Sequence, residues 1–253
     1  MIGIFDSGSG GLTVLRAIRD RLKSPDIVYF GDTKNAPYGS KSREQLSLLT
    51  VKGIELLQSR GARSIVSACN SVSASLAVSL FDALDLQPTE LIEMVGPTVA
   101  AFKHSNARIL LCATPATVHS EIYQNAFTMI GKNVTALPIE DLAGAIEFKK
   151  PEAELRQLIS HALSSVSLEA FDVLILACTH YPLVAKLFSE IIPNTLALFD
   201  PALAVAARVE KQLWPREAGN GTTRFLISKD SAPFRSYVAG LFPKDTYDIE
   251  MVE

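Results

Sequence analysis

Cysteine and histidine are scarce in this sequence of 253 residues, which has three cysteines and four histidines. The cysteines are Cys69, Cys112 and Cys178, and they form no C-x-x-C pair. No histidine stands beside them at the spacing of a metal-binding motif. We therefore expect neither a zinc site nor a disulfide framework, so each thiol is either a small core residue or a group with chemistry of its own.

Long hydrophobic runs and an excess of positive charge are also missing. No apolar run approaches the roughly 18 residues of a membrane span, and the start MIGIFDSGSGG lacks the regions of a signal peptide. A net charge of -3 gives no general attraction to phosphate backbones or anionic lipid. We expect a cytoplasmic protein with no nucleic-acid or membrane partner.

Short apolar runs alternate with amphipathic stretches along the chain, which is typical of βα units on a largely parallel sheet. The predicted strands are 2–5, 26–30, 64–68, 90–95, 109–113, 134–137, 173–177, 195–198 and 224–228. Between them, apolar residues three or four apart predict helices, as around 15–22, 76–84 and 184–191. The fold class is therefore α/β, with one large domain or two smaller ones.

Two segments of the sequence echo each other, IVSACNS at 65–71 and LILACTH at 174–180. Each reads as a buried strand, then Ala-Cys, then polar residues that open a helix. IGIFDSG at the start is loosely echoed by ILLCATP at 109–115. These echoes lead to the hypothesis of two α/β halves that face each other across a cleft.

Polar clusters fall where the predicted strands end, the edge at which parallel sheets bind ligands. The clusters are at 6–8, 31–33, 69–71, 114–117 and 178–180. Cys69 and Cys178 each end a strand and precede a predicted helix, whose N-terminus favours a thiolate. Cys112 lies inside an apolar strand and reads as core.

Paired thiols at equivalent positions suit a reaction with mirror-image directions. One thiolate removes a Cα proton from one face, and the other thiol delivers a proton to the opposite face, which is two-base racemisation. His180 stands beside Cys178 and Asp6 has the corresponding place near Cys69, although Asp6 also reads as a helix cap. Donors for substrate carboxylates are available at Ser7, Asn70, Ser71, Thr114, Thr117 and Thr179.

A dinucleotide site is the rival interpretation of the glycine-rich start. Gly8, Gly10 and Gly11 follow a strand, and Asp32 ends the next one, where a ribose-binding acid would lie. The third glycine of that fingerprint is missing, because position 13 is Thr13. Tight-turn glycines near a small anion explain the same residues.

Four segments resemble the main motifs of the glutamate racemases of bacterial cell-wall synthesis. They are FDSGSGGLTVL at 5–15, YFGDTKNAPYG at 29–39, ACNSVSA at 68–74 and ACTHYPL at 177–183. The resemblance runs from Gly3 to about Ala207. It implies a pseudosymmetric two-domain α/β fold with the active site in the cleft, and proton transfer between L- and D-glutamate without a cofactor or metal.

The resemblance also implies roles for individual residues. Cys69 and Cys178 become the acid/base thiols, tuned by Asp6 and His180, and Glu147 falls where the family has an acid oriented toward the histidine. The implied substrate pocket consists of Ser7, Pro37, Tyr38, Gly39, Asn70, Ser71, Thr114, Thr117 and Thr179. The implied domains are 1–95 plus 209–253 and 96–208. The oligomeric state stays open, with a homodimer among the alternatives.

Two positions depart from the family. The family usually has Cys-Asn-Thr-Ala where this chain has Cys-Asn-Ser-Val at 69–72, so Ser71 and Val72 replace a threonine and an alanine. Ser71 keeps a hydroxyl, but Val72 is bulkier than alanine and is expected to shift the helix or narrow the pocket. Three alternatives to a glutamate racemase remain: a racemase for aspartate or another acidic amino acid, a binding or regulatory protein on the same fold, and a pyridoxal phosphate enzyme. The last lacks a lysine in a recognisable cofactor context.

Overall fold

The computed structural model describes residues 1–73, 84, 87, 89–243 and 247–252. Ten strands within these residues form two sheets, and all strand pairs in both sheets are parallel. None of the helices in this part of the chain combines the length and hydrophobicity needed to cross a membrane.

The larger sheet has six strands in the order β10-β9-β2-β1-β3-β4. They are β1 (Ile2–Asp6), β2 (Ile27–Gly31), β3 (Ser64–Ser67), β4 (Leu91–Ile92), β9 (Thr223–Ile227) and β10 (Asp248–Met251). We call these strands, with the loops and helices packed on them, the first lobe. Its sheet thus combines strands from both ends of the chain.

The smaller sheet has four strands in the order β6-β5-β7-β8. They are β5 (Ile109–Ala113), β6 (Val134–Pro138), β7 (Val173–Ala177) and β8 (Ala197–Phe199). We call this sheet with its loops and helices the second lobe. Its strand order repeats the order β2-β1-β3-β4 of the first lobe, so the segments that echo each other in sequence occupy equivalent strands. The two-lobed α/β fold is confirmed.

Helices cover both sheets. In the described residues they are α1 (Leu12–Arg21), α2 (Arg43–Ser59), α3 (Asn70–Ser73), α4 (Val95–Ala101), α5 (Pro115–His119), α6 (Ile122–Met129), α7 (Leu142–Glu147), α8 (Glu152–Leu163), α9 (Ala185–Ile191), α10 (Pro201–Leu213) and α11 (Ala232–Leu241). Two separate apolar clusters pack each sheet, as layers of helices on its two faces require. Cys112 lies in β5 and packs in one of these clusters, as predicted.

Three local predictions need correction. The strand expected at 90–95 ends at Ile92, because the Glu93 carboxylate accepts the N–H groups of Val95 and Gly96 and so starts α4. β10 was not predicted, since an edge strand with two acidic residues in four carries no apolar signal. Of the helix predicted at 76–84, only Leu84 is among the described residues.

The third correction concerns the segment after β7. No α-helix begins directly after Cys178. A turn leads into a 3-10 helix at Tyr181–Val184, and α9 follows at Ala185. Pro182 does occupy the first turn, but it is the first turn of the 3-10 helix. The N-terminus of an α-helix is therefore not what sets the environment of Cys178.

Candidate active site

The carboxyl ends of β1, β3, β5 and β7 converge on a small, narrow cavity between the two lobes. Its lining residues are Ser7, Pro37, Tyr38, Gly39, Cys69, Asn70, Ser71, Thr114, Ala143, Cys178, Thr179 and His180. A wider cavity open to solvent adjoins it and shares Pro37, Gly39, Thr114 and Ala143. The cavity therefore contains both thiols and has a route to solvent.

Cys69 follows β3 and directly precedes α3, as the sequence predicts. Its side chain is buried, its Sγ lies 3.8 Å from the Ser7 hydroxyl, and the backbone N–H of Val72 also stabilises its charged form. Burial, together with the charge of Asp6, nevertheless raises the pKa of the Cys69 thiol to about 12. The thiol is thus protonated at neutral pH in the empty cavity.

Cys178 has a different environment, dominated by a histidine. Its Sγ lies 3.9 Å from Nδ1 of His180, and Nε2 of His180 lies 2.7 Å from a carboxylate oxygen of Glu147. The Glu147 carboxylate also accepts hydrogen bonds from the backbone N–H and the hydroxyl of Ser9, at 2.9 and 3.2 Å. Thiol, imidazole and carboxylate therefore form a chain that runs from the cavity into the interior.

The charges along this chain follow from its contacts. Burial disfavours the imidazolium, but the hydrogen bonds and charges of Cys178 and Glu147 outweigh burial and raise the pKa of His180 well above 6.5. Burial likewise opposes the Glu147 carboxylate, yet the bonds from His180 and Ser9 bring the pKa of Glu147 below its usual value. An imidazolium paired with a carboxylate is the result, and it places a positive charge next to the Cys178 sulfur, 3.9 Å from Nδ1.

Asp6 lies behind the cavity wall and joins the two lobes. One carboxylate oxygen accepts the backbone N–H of Gly8 at 2.8 Å, and the other accepts the hydroxyl of Thr179, from the second lobe, at 3.1 Å. Burial raises its pKa, and His180 offsets this only in part. Asp6 is not the N-cap residue of α1, since Gly11 has that position, although the backbone N–H of Gly11 also stabilises the Asp6 carboxylate.

Hydroxyl and amide groups line the opposite wall. Ser71 Oγ lies 3.0 Å from Thr114 Oγ1, and Thr117 lies behind them, within 3.1 Å of Thr114. Thr114 also caps α5, because its side chain accepts the N–H of Thr117. Val72 does not line this cavity; it is fully buried in the core of the first lobe.

Asp32, the acid of the rival dinucleotide interpretation, is engaged within the first lobe. It accepts hydrogen bonds from Tyr38, Asn35 and Ser228 at 2.5, 2.9 and 2.6 Å. Because Tyr38 forms part of the cavity wall, these bonds make Asp32 a support for that wall.

The glycine-rich segment lets the second lobe approach closely. A Cβ at Gly8 would lie 2.7 Å from a Glu147 oxygen, and a Cβ at Gly10 would lie 2.5 Å from Thr179 Oγ1 and 2.6 Å from His180 Nδ1. Neither glycine has a positive φ, so the close approach of the second lobe, and not the backbone conformation, explains why both positions are glycine. The space that a nucleotide phosphate would need beside these glycines contains side chains of the second lobe.

We expect Gly10→Ala to lower kcat/KM about 100-fold for the racemisation that the sequence predicts, because the new methyl group must displace the His180 imidazole or Thr179. Overpacking should also cost about 1–3 kcal/mol in the free energy of unfolding. Steady-state kinetics and thermal unfolding measure the two effects. Gly240→Ala is the matched control, since a Cβ there, within α11, meets nothing within 4 Å. Equal kinetics for the two variants would refute the role assigned to Gly10.

The structure brings the predicted site residues together. All of them line the cavity except Asp6, Thr117 and Glu147, which lie directly behind it and bond to residues at its wall. The sequence did not predict Ser9, Ala143 or Tyr123, whose hydroxyl reaches Asn70. A buried tyrosine on an amphipathic helix reads as core, and Ser9 reads as part of a turn, so no sequence signal marks either residue.

Comparison with known proteins places this geometry in a family. Residues 5–209 match the family model described as Asp/Glu/Hydantoin racemase. The chain belongs to this racemase family. A glutamate racemase from Thermoanaerobacter sp. (strain X514) is 32% identical over 242 residues, which covers 92% of this chain and 89% of that protein.

Solved structures of racemases share the whole fold. A glutamate racemase isoform from Bacillus anthracis superposes with a TM-score of 0.89 at 27% identity, covering 100% of this chain and 97% of that one. The glutamate racemase from Francisella tularensis subsp. tularensis SCHU S4, solved in complex with D-glutamate, gives a TM-score of 0.87 at 27% identity with the same coverage. The two-lobed architecture is thus that of solved glutamate racemases.

Proposed function

We propose that this chain is a cofactor-independent glutamate racemase that interconverts L- and D-glutamate by proton transfer between Cys69 and Cys178. The observation that carries this proposal is that both thiols, from equivalent strands of the two lobes, line one cavity. Membership of the racemase family and the glutamate named for the relatives support the reaction and the substrate.

The chemistry needs one thiolate and one thiol at a time. The thiolate takes the proton from Cα of the bound amino acid, and the electron pair of that C–H bond stays on carbon, delocalised into the carboxylate. The opposite thiol then gives its proton to the other face of Cα and becomes the thiolate. The reverse direction exchanges the two roles, so no net proton is gained or lost.

The two thiols are prepared for this task in different ways. Cys178 has the His180 imidazolium beside its sulfur, whereas burial and Asp6 disfavour ionisation of Cys69. The α-ammonium of a bound amino acid brings a positive charge into the cavity, which lowers the pKa of a neighbouring thiol. Substrate binding thus completes the activation of Cys69.

The wall donors account for recognition of carboxylates. Ser7, Asn70, Ser71, Thr114 and Thr179 present hydroxyl or amide groups to the cavity, and such donors stabilise an anionic group that has lost its water. They also stabilise the additional negative charge that develops on the α-carboxylate when Cα loses its proton.

The direct test is to incubate the purified protein separately with L-glutamate, D-glutamate, L-aspartate and D-aspartate and to follow optical activity. We expect both glutamate solutions to converge on zero ellipticity and both aspartate solutions to change at least tenfold more slowly. Faster conversion of aspartate would replace the proposed substrate. No conversion of any of the four over a range of pH would refute the proposed reaction.

The proposal extends to the biological setting. The enzyme supplies D-glutamate to peptidoglycan synthesis in the cytoplasm. Its two domains are residues 1–95 plus 209–253 and residues 96–208. A D-glutamate requirement of cells that lack the protein is the expected phenotype. The homodimer stays a prediction, which the mass measured by light scattering tests.

A further inference from the structure

The amide of Asn70 forms part of the cavity wall and is only half satisfied. The side chain is 2% exposed, and its Nδ2 has no hydrogen-bond partner among the residues that the structure describes. A buried N–H without a partner destabilises the fold, because nothing replaces the hydrogen bond that the group made with water. Such a group is retained where a ligand atom completes its hydrogen bonding.

Tyr123 fixes the other half of this amide. Its hydroxyl donates a hydrogen bond of 2.6 Å to Oδ1 of Asn70. The tyrosine lies on α6 of the second lobe, fully buried among apolar residues of its core, whereas Asn70 belongs to the first lobe. The bond therefore crosses between the lobes, from a rigid support to a cavity-lining group.

The direction of the hydrogen bond determines what the cavity presents. An amide has one acceptor oxygen and one donor nitrogen, so engaging the oxygen orients the NH2 group away from Tyr123. If the amide rotated by 180°, its carbonyl oxygen would take the place of the NH2 group and repel a carboxylate. Tyr123 disfavours that rotation because a second donor would then face its hydroxyl, whose hydrogen would have to turn from Asn70 to the Thr98 side chain.

We propose that Tyr123 is a positioning residue that holds the Asn70 amide with its N–H groups toward a carboxylate of the bound amino acid. This inference rests on the proposed function only in requiring a carboxylate ligand in the cavity. Tyr123 acts through Asn70 and is not among the residues that line the cavity.

The test is Tyr123→Phe, which removes one oxygen atom and leaves the ring in place. We expect the Kd for D-glutamate, measured by titration calorimetry, to rise about tenfold, and KM to rise in parallel. The value of kcat should fall by a smaller factor than KM rises, since the contact already exists in the ground state and only its strengthening in the transition state affects kcat. An unchanged Kd would overturn the proposal.

A double-mutant cycle separates positioning from a general structural effect. If Tyr123 acts only through Asn70, then Tyr123→Phe adds nothing to the loss already caused by Asn70→Ala. Additive losses would contradict the proposal. Tyr181→Phe is the matched control, because Tyr181 is equally buried and donates to the carbonyl of Ile139, outside the cavity. It should leave Kd within about twofold.

A second variant, Asn70→Asp, keeps an acceptor for Tyr123 and removes the NH2 group. Binding of D-glutamate should fall at least 100-fold while the folded structure, monitored by circular dichroism, is retained; undiminished binding would overturn the proposal. Because binding of glutamate does not require turnover, the proposal and the racemase reaction fail separately: a wild-type protein that binds glutamate but does not racemise it refutes only the reaction.

Discussion

Replacing Cys69 with alanine should lower kcat for interconversion of the glutamate enantiomers about 10³-fold, because one face of Cα then has no proton donor or acceptor. Cys178→Ala should have an effect of similar size. The fold should tolerate both changes, since each removes a single sulfur from the wall of an existing cavity. Steady-state rates from each enantiomer provide the measurement.

Each variant should also show one-sided exchange. With only Cys178 left, the enantiomer whose Cα–H faces that sulfur should exchange its proton with heavy water and keep its configuration. The other enantiomer should not exchange. The preference should reverse in Cys178→Ala, and loss of exchange from the same enantiomer in both variants would contradict the assignment of one thiol to each face.

Cys112→Ala controls for the loss of a buried thiol. Cys112 is fully buried in β5, outside the cavity, and burial raises its pKa to about 12. Its replacement should change kcat by less than about twofold. A loss comparable to that of Cys69→Ala would show that packing, and not proton transfer, accounts for the effect.

After the two cysteine replacements, the next largest effect is expected for Glu147→Gln. It should lower kcat about 100-fold in both directions. The glutamine keeps the shape of the side chain and an oxygen for Ser9 and His180, but it removes the negative charge 2.7 Å from the imidazole. Burial then opposes the imidazolium with less compensation, so the pKa of His180 falls. A thiolate at Cys178 loses its positive neighbour as a consequence.

The direction of the pH effect follows from the sign of this shift. Activity that needs the imidazolium is present below the pKa of His180 and is lost as the pH rises through it. In the wild type that pKa is raised, so the loss occurs well above 6.5; in Glu147→Gln the alkaline limb of the kcat profile should move to lower pH. An alkaline limb that stays in place would contradict the role given to Glu147.

The free energy of unfolding also depends on the pair of Glu147 and His180. Since the folded-state pKa of His180 lies above its unfolded value, the stabilisation is complete at pH below about 6.5 and is lost as the pH rises through the folded pKa. Glu147→Gln should reduce this dependence. Glu217→Gln is the control: Glu217 is a buried carboxylate bonded to Ser64, far along the sheet from the cavity, and its change should leave the kcat profile unaltered.

Much of this architecture is local in origin, and for that reason the sequence predicts it. Strands β5 and β7 were predicted with their observed limits because buried parallel strands are continuous apolar runs bounded by polar residues. The site residues were predicted because they follow such strands directly. The equivalence of Cys69 and Cys178 was likewise visible as a repeated Ala-Cys after a strand.

The contacts between the lobes could not be predicted in the same way. Ser9 on Glu147, Tyr123 on Asn70 and the close approach at Gly10 join residues between 53 and 170 positions apart, and no short-range pattern records such pairings. The sequence pattern placed Cys178 at the N-terminus of an α-helix, whereas a 3-10 helix follows it. The Glu147 carboxylate beside His180 was expected only from the family resemblance, and its hydrogen bonds from Ser9 were not predicted.

The most direct measurement of two-base catalysis is the position of deuterium after brief conversion of L-glutamate by the wild-type protein in heavy water. The product enantiomer should carry deuterium at Cα in every molecule, because its proton comes from the second thiol, which exchanges with solvent. The remaining substrate should still carry its original hydrogen. Product that retains the hydrogen of the substrate, or deuterium appearing equally fast in both enantiomers, would contradict the assignment of separate thiols to the two faces of Cα.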